Sequence, residues 1–353
     1  MNTSSFSRSR NDTSRRAFGL KYAAIASAFL TCSLLGASAS AQQTGWKPQG
    51  TVEYVIPGGA GAALDFSARK LAQLLEKHGF AQTVVVQNKP GGYGLLALAA
   101  LQNNSKNPNY LYTLTSGLNF AHAQGAINTS TKDYTPVATL FKDNFSLAVP
   151  ANSNIRDATD FVERLKKSPD SISIAVGSGI GGTLDVSLSY TLRQAGVDIT
   201  KLRFIPYKSS AESFNALLGG HVDAVYSSTP NLVPHIPDGK VRGIAVASEE
   251  RLGTDLANIP TWKELGYATF PQPIQGILAA KDITREQQQY WENAFRVVTA
   301  TPEWKAHVAK NHWNPFFLGA QESVAFYARE YQQVQGVLAD LGYAGQAARV
   351  TQK

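Results

Sequence analysis

One arrangement constrains this chain more than any other: a strand, a glycine-rich loop and a helix follow each other, and the arrangement occurs twice. Val52 to Ile56 is an apolar run of strand length, and Gly58 to Ala63 is a Gly/Ala loop. Leu64, Ala68, Leu71, Ala72 and Leu75 then recur at helical spacing until Gly79, a left-handed stop, and Thr83 to Val86 is the next strand. Strand, helix, strand in this order is a βαβ unit, which belongs in a parallel sheet.

The second copy starts at the strand Ser171 to Val176 and the glycine-rich stretch Gly177 to Gly182. Leu184, Leu188, Leu192 and Ala195 mark a helix face ended by Gly196, and Leu202 to Pro206 is the following strand. Further strands are expected at Tyr110 to Leu114, Val222 to Tyr226 and Val241 to Ala247, with a short helix at Ala211 to Leu218. The tail is helical over Arg285 to Ala300, Glu303 to Lys310 and Glu322 to Leu341. The two junctions match at five of nine positions with an offset of 120 residues: Gly59, Gly61, Leu64, Asp65 and Ser67 against Gly179, Gly181, Leu184, Asp185 and Ser187. The chain therefore reads as two similar α/β domains presenting the same device. Its 353 residues suit more than one core.

A helix start carries unpaired N–H groups and partial positive charge, and glycines before it let a ligand approach the backbone. Each junction is thus a candidate anion cradle at the carboxyl end of a strand. The candidate binding groups are Gly59, Gly61, Ala62, Ala63 and Asp65 in the first, and Ser178, Gly179, Gly182 and Thr183 in the second. A purely structural role for both junctions is the other reading, because Asp65 and Asp185 already complement the helix dipole and are placed to brace their loops. Polar groups after other strands extend the set: Ser116 and Asn119, Tyr207 and Lys208, Ser227 and Thr229.

The N-terminus stands apart. Arg8, Arg10, Arg15, Arg16 and Lys21 form a basic head, Tyr22 to Gly36 an apolar run of 15 residues, and Ala39-Ser40-Ala41 a cleavage site. This is the layout of a secretory signal and is too short for a membrane span. Ser14-Arg15-Arg16-Ala17-Phe18 fits a twin-arginine export signal, and an ordinary secretory signal is the alternative. Removal of residues 1–41 takes five basic residues and Asp12 with it, so the net charge of +7 falls to +3. The remaining charge does not argue for a nucleic-acid partner. The single Cys, Cys32, leaves with the signal, so the mature chain has no thiol chemistry.

Catalytic signatures are missing. The chain has no nucleophile elbow, no Walker loop and no metalloprotease helix, and its six histidines do not cluster. Gly177-Ser178-Gly179-Ile180-Gly181-Gly182 fits the dinucleotide fingerprint, but the acidic residue expected at the end of the next strand is replaced by Pro206-Tyr207-Lys208. No catalytic residue, no metal and no cofactor is expected.

Six short motifs then occur in order: Val55-Ile56-Pro57-Gly58-Gly59 leading to Asp65 and Ala68-Arg69; Asn88-Lys89-Pro90-Gly91-Gly92; Asp133-Tyr134-Thr135-Pro136-Val137; Ile205-Pro206-Tyr207-Lys208; Leu218-Gly219-Gly220-His221-Val222-Asp223; and Ile259-Pro260-Thr261 continuing through Trp262 to Tyr267, with Gly94 completing the second run. Through these the chain resembles the solute receptors of tripartite tricarboxylate transporters, the Bug family. The resemblance implies a two-domain periplasmic binding protein of type II-like fold. Each domain would be a mixed, mostly parallel sheet flanked by helices, with the ligand cleft between domains.

It also implies a periplasmic monomer that holds a small carboxylate through backbone amides and ordered water at two facing loops, and hands it to the membrane permease subunits. The loops map to Gly58 through Asp65 and Ser178 through Thr183. The expected domains are 42–146 plus 275–353, and 147–274, with crossings near Phe145 to Pro150 and Pro271 to Leu278. The C-terminal helices would return to the first domain. Departures fall in the pocket: Ala60 to Leu64 separate Gly59 from Asp65, the second loop has no His, and Ser209 stands where the family has Gly. Tyr93, Phe120 and Tyr207 are candidates for an aromatic wall. A sensory receptor and an exported nucleotide-cofactor oxidoreductase are the rival readings.

Overall fold

The computed structural model describes residues 45–91, 94–177 and 180–343. The reading of a signal at residues 1–41 lies outside them. Two sheets carry the fold. In chain order the strands are β1 (Thr51–Ile56), β2 (Thr83–Asn88), β3 (Tyr110–Thr115), β4 (Thr135–Lys142), β5 (Phe145–Pro150), β6 (Ser173–Gly177), β7 (Arg203–Tyr207), β8 (Ala224–Ser228), β9 (Val241–Ala247), β10 (Ile274–Ala279) and β11 (Asn314–Leu318). The helices are α1 (Ala63–Lys77), α2 (Leu95–Gln102), α3 (Gly117–Ala123), α4 (Ala158–Lys167), α5 (Thr183–Gln194), α6 (Ser210–Leu218), α7 (Arg285–Ala300), α8 (Pro302–Lys310) and α9 (Ala320–Asp340).

The first sheet runs β11-β4-β10-β3-β1-β2 and the second β7-β6-β8-β5-β9. Both βαβ units are where the sequence puts them: β1 pairs in parallel with β2 and β3, and β6 with β7 and β8. The left-handed stops are also there, at Gly79 (φ +72°) and Gly196 (φ +88°). Antiparallel strands complete both sheets. β10 pairs antiparallel with β3 and β4, β11 with β4, and β5 with β8 and β9.

The chain changes sheet twice. The first passage is two residues long, Asp143 and Asn144, because β5 from its first residue Phe145 belongs to the second sheet. The second runs from the end of β9 at Ala247 to the start of β10 at Ile274. The two passages are tied together: Asp143 N–H donates to the Pro273 carbonyl at 2.7 Å, and Gln272 Nε2 donates to Asn144 Oδ1.

Helix α9 does more than return to the first sheet. Tyr327 packs with Leu114, Ile274 and Leu278 of the first sheet, whereas Val334, Leu338 and Leu341 belong to the core that covers the second sheet, with Phe161 of α4, Leu188 of α5 and Trp262. Between these contacts Glu330, 8% exposed, takes hydrogen bonds from Ser116 Oγ and, at 2.7 Å, from Asn119 Nδ2. Helix α3 bridges in the other direction. It follows β3 of the first sheet, yet Phe120 is fully buried in the second sheet's core, 5.4 Å edge-on from Phe270.

Candidate functional site

The two glycine loops start their helices in the same way. Gly61 (φ +74°) and Gly181 (φ +83°) both take the left-handed conformation that glycine accepts without strain. Each then turns its N–H onto the Asp four residues later, Gly61 to Asp65 Oδ2 at 3.0 Å and Gly181 to Asp185 Oδ2 at 2.6 Å. At the N-caps stand Ala62 and Gly182, both extended, and neither makes a side-chain capping hydrogen bond. The aspartates thus brace the loops from within, and neither N-cap residue has a side chain to cap its helix; Asp185 also draws on the N–H groups of Gly182, Asp185 and Val186 at its own helix start.

The two braces differ electrostatically. Burial works against a charged Asp65, but hydrogen bonds from Arg69, Gly61 N–H and Asn88 outweigh it and hold the carboxyl below its ordinary value. Asp185 has Ser189 where the first loop has Arg69, and among the described residues no cation pairs with it. Burial pushes it up to about 7, against the opposing pull of the Gly181 N–H.

The halves meet along a seam at these loops. One chamber of about 100 Å³ is lined by Pro57, Leu64, Gly94, Tyr112, Thr115 and Gly117 on the first side and by Gly182, Thr183, Leu184 and Lys208 on the second. A neighbouring chamber of about 70 Å³ lies among Gly58, Gly59, Ala62, Ala63, Asp143, Lys208, Ser209, Ser228 and Asn231. The walls are close. A Cβ on Gly59 would stand 3.0 Å from Ser209 Cβ, and one on Gly117 3.7 Å from Thr183 Oγ1. Gly94 (φ +86°) admits Tyr112 OH and Pro57, which a Cβ there would meet at 3.1 and 3.2 Å.

Lys208 is exposed and borders both chambers, so it is the cation of the seam. Asp143 faces the smaller chamber. Burial pushes its carboxyl up to about 7, with donation from Ser228 Oγ and Asn144 N–H pulling the other way.

Of the residues singled out from sequence, Gly59, Ala62, Ala63, Gly182, Thr183 and Lys208 come together here. Ser178 and Gly179 lie outside the described residues, as does Tyr93. The others point elsewhere. Gly61 and Asp65 are spent on each other. Ser116 and Asn119 turn to Glu330, and Ser116 Oγ also accepts from Ile274 N–H at 3.0 Å. Thr229 Oγ1 bonds Ser146 Oγ and the Asn144 carbonyl at the first passage between sheets, and Ser227 Oγ accepts from Asn231 Nδ2.

Tyr207 packs into the second sheet's outer core and Phe120 into its inner one, so neither forms an aromatic wall. For Tyr207 the cause is the pleat, because successive side chains at a strand end alternate faces and sequence does not say which face is the cleft; Phe120 lies on α3, whose inner face turns it into the second half's core. Thr115, Ser209 and Ser228, polar residues that close or follow β3, β7 and β8, also line the seam, as the placement of polar groups at strand ends leads one to expect. Gly117 and Asn231 line it too and were not named from sequence.

Comparison with known proteins agrees with this geometry. Residues 67–343 match the model of the tripartite tricarboxylate transporter family receptor. A UPF0065 protein in the gbd 5′ region of Cupriavidus necator is 29% identical over 331 residues, 91% of this chain and 96% of that protein. The solved structure of the periplasmic binding protein BugD superposes with a TM-score of 0.76 at 24% identity, covering 84% of this chain and 99% of that one. An R. palustris protein solved with adipate superposes at 0.77 with 20% identity, covering 84% and 98%. The family and its solved members are solute-binding receptors rather than enzymes. With its two mixed α/β sheets facing across a seam of uncapped helix starts, the chain belongs to the tripartite tricarboxylate transporter receptor family, the periplasmic solute-binding proteins of the TctC/Bug type.

Proposed function

We propose that the protein captures a small carboxylate between its two halves and delivers it to a tripartite tricarboxylate-type membrane transporter. The observation that carries this is the pairing of two helix starts, at Ala63 and Thr183, each uncapped and braced from within, with Lys208 between them. Such starts favour anions, and Lys208 supplies the positive charge. The R. palustris structure with adipate supports an aliphatic dicarboxylate as the first ligand to try.

The domain division that goes with this reading is 42–146 plus 275–353, and 147–274. Export would precede it, with the signal cleaved near Ala41. Binding groups proposed are Gly59, Ala62, Ala63, Gly182, Thr183 and Lys208, joined by Ser178 and Gly179 from the second loop.

Differential scanning fluorimetry of the chain from Gln42 onward tests the reading against di- and tricarboxylates, acidic amino acids, aromatic acids and neutral solutes. Ligand at about 100 times its dissociation constant stabilises the native state by roughly 2.7 kcal/mol. A shift confined to one carboxylate class is expected. Stabilisation by neutral solutes alone would overturn the carboxylate assignment.

A further inference from the structure

We infer that Gln124 is a positioning residue that latches the two halves together without touching the ligand. It follows α3 directly as its C-cap, on a helix that continues from β3 of the first sheet and sinks Phe120 into the core of the second half. Its side chain is buried, 5% exposed, and crosses to the second half, where Nε2 donates to the Gly181 carbonyl. The approach is close: a Cβ on Gly181 would lie 2.6 Å from Gln124 Oε1 and 2.9 Å from Nε2, so the amide would have to move aside. Gln124 lines neither chamber of the seam.

Helix α3 therefore grips the second loop at both ends. Gly117 at its start faces Thr183, and Gln124 at its end holds Gly181, the residue whose N–H is anchored on Asp185. When the halves part, an unpaired Gln124 amide is solvated by water, so the bond contributes only to the closed form. Its loss should weaken every ligand by the same factor, because it changes the population of the binding-competent state and not the contacts within it. A residue lining the cleft would instead change the ratio between ligands.

The test uses Gln124→Met, which keeps the volume and removes the donor, and Gln124→Ala as a second replacement should the first fold poorly. Small-angle scattering is recorded without ligand. Wild type is expected to match this compact structure, and both variants to show a larger radius of gyration. Titration calorimetry and stopped-flow with adipate and with malate should show a loss of about 3- to 10-fold for each, the worth of one neutral hydrogen bond, carried by faster dissociation.

The affinity arm rests on the proposed receptor function, whereas the scattering arm does not. If neither acid binds wild type, that function is in question and the scattering result still decides the latch. An open ligand-free wild type would overturn the inference, as would variants as compact as wild type, or losses that differ between the two acids.

Discussion

At the scale of the residue, Lys208 and the two aspartate braces make distinct predictions. Lys208→Met should weaken an aliphatic dicarboxylate by roughly tenfold or more, the range of a hydrogen bond to a charged group, and should flatten the salt dependence of binding. Calorimetry at low and high salt would check both. The aspartates should behave oppositely. Asp185 and Asp143 have folded values raised to about 7, so the stability they contribute is complete below their ordinary value near 4 and is lost as pH rises through 7.

Asp65 is held below its ordinary value, so its contribution is present above about 4 and disappears as pH falls further. Guanidinium unfolding at pH 8 is therefore expected to show Asp185→Asn as stable as wild type or more so, and Asp65→Asn as destabilised. Equal effects would mean that the loops are not electrostatically distinct. The twin positions of these aspartates were readable from the repeated sequence. Their difference was readable only in part: Arg69 against Ser189 is a local i,i+4 contrast, whereas Asn88 reaches Asp65 from a separate strand.

Among elements, legibility followed local order. β1, α1, β2, β6, α5 and β7 repeat a pattern that is complete within a short window, and all are where the periodicity puts them. β5 and β10 escaped. β10 is buried at every residue and β5 at all but Pro150, so neither shows the alternation that marks a strand with one wet face. These are the strands that join the two sheets to the two passages, and the motifs of the family stood in for them.

A loop substitution belongs at this scale too. Gly94→Ala forces a left-handed Cβ against Tyr112 OH and Pro57, walls of the larger chamber. It should cost about 1 kcal/mol or more of stability, seen in urea midpoints, and should weaken ligand binding as well.

For the whole molecule, the feature that matters most is α9 seated across both cores. Glu330 at its middle satisfies Ser116 and Asn119 within the first half, while Val334 and Leu338 four and eight residues on belong to the second. Glu330→Ala leaves the buried Ser116 hydroxyl without its acceptor and Asn119 Nδ2 with only the Tyr327 carbonyl at 3.2 Å. A loss of about 2 kcal/mol and a melting temperature lower by several degrees are expected by calorimetry. The helix itself was legible at Glu322 to Leu341, but its double attachment was not, since an amphipathic stripe does not say how many partners it meets.

This placement also governs when the chain can fold. Phe145 opens the second sheet and Val334 completes the packing beneath it. At about 5–20 residues per second, a ribosome takes roughly 10 to 40 s to cover the distance between them. The second core lacks its covering helix during that interval, and pairings as distant as β11 with β4 are slow to find even afterwards. The packing of the second half is thus completed only after α9 has been made, long after its own sheet.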